Sequence, residues 1–390
     1  MGITLIHRLV LGVWMAAVWM AISPWTTYEA DFNAAEEYYL PRLGSTAEQL
    51  IFGVWRRWDA DHYLNLAVHG YQTENPGPTV FGVLVPLGFR FFDRLLPGPV
   101  DLAAIVFETL AFGAALTLLF RLCTVHFRDE QLARWAVGVM ALQPLSYCFA
   151  APLSESSYLA LSLAVFYAAY RRRWLVAGLC GFLATLARTQ GVLLAAVAGL
   201  ILLEEARTPR DGWRQIVRRG WVLLLIPTGA LVFTVFRASR GLPSLVDVYS
   251  YYSLHFYTNP ARGLFLNAGY LVRHWPHSMY DTDLLALATS LVLGGIMLRH
   301  PFLRQPPLVA YTWLHILLFL SKINVDRYTN EITYTQSFGR YALVLFPLTL
   351  LVADWLRRIA SVRARFLGLV VLSTLLLVFS ARHVLYLIGP

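Results

Sequence analysis

Charge is what this 390-residue chain has least of. Only 14% of its residues are Asp, Glu, Lys or Arg, where a soluble domain carries nearer a quarter. With 57% hydrophobic residues and a mean hydropathy of +0.55, the bilayer is the expected solvent for most side chains. Lysine is almost missing: Lys322 is the only one, so the net charge of +9 is arginine charge. Those arginines fall in short clusters between apolar runs, which makes topology a better reason for the basic balance than nucleic-acid binding, and no nucleic-acid partner is expected. Cysteine is scarce too. Cys123, Cys148 and Cys180 are an odd set with no metal-ligand spacing, which excludes a disulfide framework and leaves reduced packing residues. No repeat period, linker or soluble domain breaks the chain, so 1–390 reads as one membrane domain.

What is present is a series of long apolar runs without period-two alternation, which predicts an all-α polytopic bundle rather than a closed barrel. The first runs from about Leu9 to Ala21 behind His7 and Arg8. Pro24 and Trp25 make a poor cleavage site, so a retained anchor helix is expected. Further spans are expected at 101–121, 134–151, 154–170, 174–188, 190–205, 219–238, 283–299, 306–321, 338–356 and 364–386, about eleven crossings with the first. The clusters Arg171–Arg173, Arg207–Arg219, Arg299–Arg304 and Arg357–Arg365 should be cytoplasmic. That orientation puts a first loop, about 24–100, outside. The apolar stretch Val80–Leu96 within it would break the parity if it crossed, and is read as re-entrant or interfacial, broken by Pro86. Two further outer loops, 239–281 and 322–337, are rich in tyrosine and histidine.

The most informative stretch is Trp55-Arg56-Arg57-Trp58-Asp59-Ala60-Asp61-His62-Tyr63, continuing to His69-Gly70-Tyr71. Spanning a bilayer requires no such cluster of acids and bases, and polar groups held at a membrane are functional candidates by default. The arrangement resembles the GT-C class of membrane glycosyltransferases, and within it the family of glycosylphosphatidylinositol mannosyltransferase 2 (the PIG-V family). The resemblance rests on Arg57-Trp58-Asp59-Ala60 with His62-Tyr63, Ala67 and His69-Gly70-Tyr71. Val80-Phe81 with Val85-Pro86-Leu87, Leu153-Ser154-Glu155-Ser156, Ala187-Arg188-Thr189-Gln190-Gly191, and Gly339-Arg340-Tyr341 with Phe346-Pro347 follow in consistent order. It implies an inverting glycosyltransferase, expected to be a mannosyltransferase, acting at the extracytoplasmic face. The implied partners are a polyprenyl-phosphate sugar donor, a lipid or glycan acceptor and membrane lipids. No cofactor or metal is implied. Substrate-binding roles fall on Arg57, Trp58, His62, Tyr63, Glu155, Arg188, Gln190 and Arg340.

Such a transfer needs a base for the acceptor hydroxyl and cations for the departing lipid phosphate. Asp59 is the best base, against the alternative that it caps a short helix and pairs with Arg56 or Arg57. Asp59-Ala60-Asp61 spells a metal-holding Asp-x-Asp, but the pattern is short and Asp61 reads as solvated charge. His62 orients the phosphate or Asp59, or is an interfacial histidine bonded to backbone. Arg188 and Arg340 are the phosphate cations, or arginines that snorkel to headgroups. Glu155 is a site residue or a helix cap. His274-x-x-His277 with Asp281 has loose metal-like spacing, and Tyr249, Tyr251, Tyr252 and Tyr257 read as belt residues. The rival class is a transporter or flippase of a lipid-linked sugar, which should show paired repeats and mid-membrane charges. A non-catalytic subunit that binds lipid-linked sugar is the third reading. Near-absence of lysine and compact length point to a prokaryotic plasma membrane.

Overall fold

A segment in hydrocarbon has to satisfy its backbone polar groups internally, and the apolar runs of this chain do so as helices. The computed structural model describes residues 1–22, 40–41, 43–206, 213–252, 256–273, 281–325, 332–333 and 337–385. The His274–His277 pair lies outside the described residues, as do the side chains of Asp281, Tyr249, Tyr251, Tyr252 and Tyr257. The helices are α1 (Gly2–Ile22), α2 (Thr46–Ile51), α3 (Asp59–His69), α4 (Leu84–Asp93), α5 (Val100–Val125) and α6 (Glu130–Leu142). After these come α7 (Glu155–Tyr170), α8 (Trp174–Ala187), α9 (Leu194–Ala206), α10 (Trp213–Gly220), α11 (Leu225–Ser239) and α12 (Leu245–Tyr252). The remainder are α13 (Pro260–Arg273), α14 (Asp281–Met297), α15 (Pro306–Leu320), α16 (Phe338–Leu343), α17 (Phe346–Arg358) and α18 (Val362–Val384).

Among the described residues, four helical stretches are long and apolar enough to cross a membrane: α1, α5, Ile216–Ser239 and α18; α8, Thr282–Met297 and α15 are apolar but shorter. Their outer faces carry exposed Leu9 and Val13 on α1, Leu231 and Val235 on α11, and Phe366 and Val371 on α18. Large apolar side chains facing outward are what a lipid solvent permits. Between the helices runs a large core, with a small separate cluster of Val83, Leu186 and Phe233 beside it. The all-α expectation holds apart from a small antiparallel sheet, in which β1 (Phe256–Tyr257), β2 (Lys322–Val325) and β3 (Ile332–Thr333) join the segments 239–281 and 322–337.

Several predicted spans are interrupted. The 134–151 run ends as α6 at Leu142, ahead of Pro144, and resumes only as a 3₁₀ turn at Ser146–Phe149. The 338–356 run splits into α16 and α17, because Pro347 has no N–H for the ladder and occupies the first turn of a new helix. The 190–205 run starts with a 3₁₀ turn, Thr189–Leu193. The Val80–Leu96 stretch is also interrupted: its 3₁₀ turn ends at Val80, and α4 starts only at Leu84, with Pro86 in the first turn, where a missing N–H costs nothing. At ten residues α4 is about 15 Å long, half a hydrocarbon core. His7 and Arg8 are also not a flank: both lie within α1, His7 hydrogen-bonded to Ser146 at 3.0 Å and Arg8 donating to the Ala150 carbonyl.

Candidate active site

The Trp55–Tyr63 stretch is pinned from three sides. Arg56 makes a two-pronged pair with Asp101 at the start of α5, with Nε and Nη2 each 2.6 Å from a carboxylate oxygen, and its Nη1 donates to Pro41 O at 2.8 Å. Arg57, fully buried, donates from Nε to Val384 O at 3.0 Å and stacks on Trp19. Trp58 then takes φ 58°, ψ −132°. A tryptophan in that region is strained by about 1–3 kcal/mol, and such strain collects where neighbouring structure over-determines a functional geometry. The residue it delivers to the first position of α3 is Asp59.

Four ionised groups meet there. Arg340, from α16, donates from Nη1 to Asp59 Oδ2 at 2.6 Å and from Nε to Glu155 Oε1 at 2.7 Å. Arg188, at the α8 break, donates to the same Glu155 oxygen at 2.6 Å. Its guanidinium lies 4.6 Å from the centre of the Tyr341 ring, which stacks in turn on Phe319. The chain Asp59–Arg340–Glu155–Arg188 is neutral overall and graded in exposure. The Glu155 side chain is 0% exposed, Arg340 3% and Arg188 9%, but Asp59 32%. Asp59 is thus the member a substrate can reach. Burial pushes its carboxyl up, but Arg340, helped by His62 and Arg188, outweighs that and holds it below the ordinary carboxylate value.

These contacts decide several alternatives. Asp59 is neither a cap nor a partner of Arg56 or Arg57; its partner comes from 281 residues away. Arg188 and Arg340 do not snorkel, since both are buried and paired. Glu155 does not cap α7, whose N-cap is Ser154. Asp61 is not solvated charge: it is buried, its Oδ1 has no partner among the described residues, and burial pushes its carboxyl up to about 6. Arg57 is drawn towards α18 and Trp19, away from the four-charge chain.

Around the charges lies an aromatic wall. His62 stacks on Phe81 at 5.4 Å, and Tyr63 packs on the same ring at 4.7 Å while donating to Ser154 Oγ at 2.7 Å. Gln190 is buried, with its amide facing Tyr158. Glu155 Oε2 is a buried acceptor with no hydrogen-bond partner among the described residues. An acceptor left open beside two arginines suits a hydroxylated, anionic ligand. Sequence reasoning missed Arg237, which donates to Thr79 O and to Pro243 O (2.6 Å) and so ties the Phe81 segment to α11. Gly82 lets that segment lie against α8, where a Cβ would come 2.6 Å from Ala187 O. Asp283 was missed as well. It accepts from the backbone N–H groups of Ser337 and Gly339 at 2.9 and 2.7 Å. Nothing local in the sequence announces these partners.

Next to the charges is an apolar cavity of about 290 Å³ between α6, α14, α16, α17 and α18. Leu285, Ala286, Leu343, Leu348 and Phe379 line it, and Gly339, the residue before Arg340, borders it.

No family model matches the chain. GPI mannosyltransferase 2 from Cryptococcus neoformans is 29% identical over 145 residues, covering 35% of this chain and 34% of the relative. The match therefore spans about a third of that relative's length. Among solved structures, ArnT from Cupriavidus metallidurans bound to undecaprenyl phosphate aligns over 94% of this chain and 63% of its own, with a TM-score of 0.50 and 14% identity. Helical architecture and alignment agree: the chain has the helical fold of ArnT, and over 145 residues its sequence is similar to GPI mannosyltransferase 2.

Proposed function

We propose that this protein is an inverting membrane glycosyltransferase that moves mannose from a polyprenyl-phosphate-linked donor to a hydroxyl of a lipid or glycan acceptor. It would act as a single membrane domain, at the outer face of the membrane, with the catalytic motif in the 24–100 loop. The observation that carries this reading is the Asp59–Arg340–Glu155–Arg188 chain, in which the one accessible carboxylate shares a guanidinium with a buried one. Its ArnT neighbour in fold is bound to undecaprenyl phosphate, and its relative in sequence is named a mannosyltransferase.

The chemistry follows from the geometry. Asp59, held ionised, accepts the proton of the acceptor hydroxyl. That oxygen attacks the anomeric carbon as the carbon–oxygen bond to the lipid phosphate breaks, and the phosphate keeps the bonding electrons. Negative charge grows on the phosphate, where Arg188 and Arg340 stand as buried cations. Drawing Arg340 towards the phosphate loosens its hold on Asp59 and makes the carboxylate a better base as the leaving group arrives. The apolar cavity beside Gly339 suits the first isoprene units of the donor. The test is stereochemical: purified protein receives polyprenyl phosphate carrying labelled mannose, with a hydroxylated lipid acceptor. The expected product is mannosylated lipid of inverted anomeric configuration. A retained configuration, or no product from any such donor, would overturn the reading.

A further inference from the structure

We propose that Asp283 is a positioning residue for Arg340: its carboxylate binds the N–H groups of Ser337 and Gly339 and so fixes the turn that aims the guanidinium at Glu155 and Asp59. The proposal rests on the functional reading above for its effect on turnover, but its structural content stands apart from it.

Arg340 must do something demanding. One planar guanidinium reaches two carboxylates on different helices, Asp59 on α3 and Glu155 on α7, from 281 and 185 residues away in sequence. An arginine side chain has enough rotatable bonds to miss by several ångströms unless its Cα is held. The turn before α16 is not one the chain would choose unaided. Ser337 has φ 68°, ψ 26°, a left-handed conformation that is unfavourable for a residue with a Cβ. Two backbone hydrogen bonds to a buried carboxylate offset that cost and hold the turn. Asp283 is 6% exposed and sits in the first turn of α14, and its two oxygens go one to each N–H. Glycine at 339 leaves room for this turn. A Cβ there would lie 2.5 Å from Leu145 Cδ1 and 3.3 Å from Asp283 Oδ1 itself. The line of force is short: carboxylate, two backbone N–H groups, one residue, then the guanidinium.

The experiment uses the full-length protein with Asp283→Asn, Asp283→Ala and Ser337→Gly, alone and combined, and with Arg340→Lys. The first readout needs no activity. Arg340, 3% exposed and twice paired, should resist an arginine-modifying dicarbonyl in the parent protein and become modified in Asp283→Ala, with Asp283→Asn between, located by peptide mass mapping. Glycine takes the left-handed conformation freely, so Ser337→Gly should restore protection in the Asp283→Asn background. The second readout is turnover. Asp283→Ala should lose on the order of 10–100-fold, the range for partners that orient an active group from behind, and should add almost nothing to Arg340→Lys. Should Asp283→Ala not fold, the Asp283→Asn pair with and without Ser337→Gly decides. Unchanged protection of Arg340 in the Asp283 variants, or no rescue by Ser337→Gly, overturns the proposal, as does a penalty that simply adds to that of Arg340→Lys. Absence of transfer in the parent protein would sink the functional reading and leave the protection result to judge Asp283.

Discussion

Replacing Glu155 by glutamine removes one charge and almost no volume from the centre of the site. In the parent protein Oε1 of this residue receives Arg188 at 2.6 Å and Arg340 at 2.7 Å, and the side chain is fully buried. Two guanidinium nitrogens sharing one oxygen lie within about 5 Å of each other. At an effective dielectric of 20, two like charges at that separation repel by about 3 kcal/mol. Loss of the anion also leaves buried charge unpaired, a change that typically costs about 3–5 kcal/mol. The two figures describe largely the same deficit, so Glu155→Gln should lower stability by about 3–5 kcal/mol, read as a lower melting midpoint in detergent. The variant should then respond more strongly than the parent to added polyprenyl phosphate, because the ligand supplies the missing negative charge to both arginines. Melting scans with and without the lipid, against a neutral polyprenol of equal length, make the comparison. Equal melting of variant and parent, or equal stabilisation of both by the phosphate lipid, would refute the reasoning.

Replacing Arg340 by lysine keeps the charge but cannot span two carboxylates, and losing one charge-assisted hydrogen bond, about 1.5–3 kcal/mol, should cost roughly 10- to 150-fold in turnover. Steady-state transfer rates would check this, and near-parent rates would favour a passive arginine. Arg188→Lys should also lose rate, since stacking on Tyr341 is specific to the guanidinium. Asp61 gives a pH signature. Its folded carboxyl is raised from 3.8 to about 6 by burial among Arg56, Arg57, Asp101 and Asp59, so the folded state holds the proton longer than the unfolded one. Stability from this group is present below the unfolded value and is lost as pH rises through about 6. Asp61→Asn should therefore flatten the fall in melting midpoint between pH 4 and 6.5, whereas an unchanged slope would place the cause elsewhere.

The sequence makes the architecture legible because hydrocarbon leaves the backbone few choices, and runs such as Val100–Val125 and Val362–Val384 announce themselves by length and composition. Interruptions are harder to read. Pro347 and Pro86 each fall in the first turn of a helix that restarts an interrupted run, and the exact restart is set by packing that no composition window reveals. Asp59, Glu155, Arg188 and Arg340 stand out in the sequence as separate islands that resemble a known pattern. Their mutual contacts do not, because ion pairs 33 to 281 residues apart leave no local periodicity. Asp61 was misread for a related reason: an acid in a polar stretch looks solvated until the partners of Arg56 and Arg57 are known. Asp283 and Arg237 act on backbone atoms, which every residue carries, so no residue type marks the far end of the contact.

The central claim is that Asp59 drives cleavage of a sugar from lipid phosphate. It is tested most directly by supplying polyprenyl-phosphomannose and acceptor to the purified protein in vesicles and measuring free polyprenyl phosphate, for the parent and for Asp59→Asn. The account predicts release by the parent and a loss of about 10²–10⁴-fold in the variant, with melting little changed. Movement of intact donor across the membrane without release, or release that persists in Asp59→Asn, would contradict it.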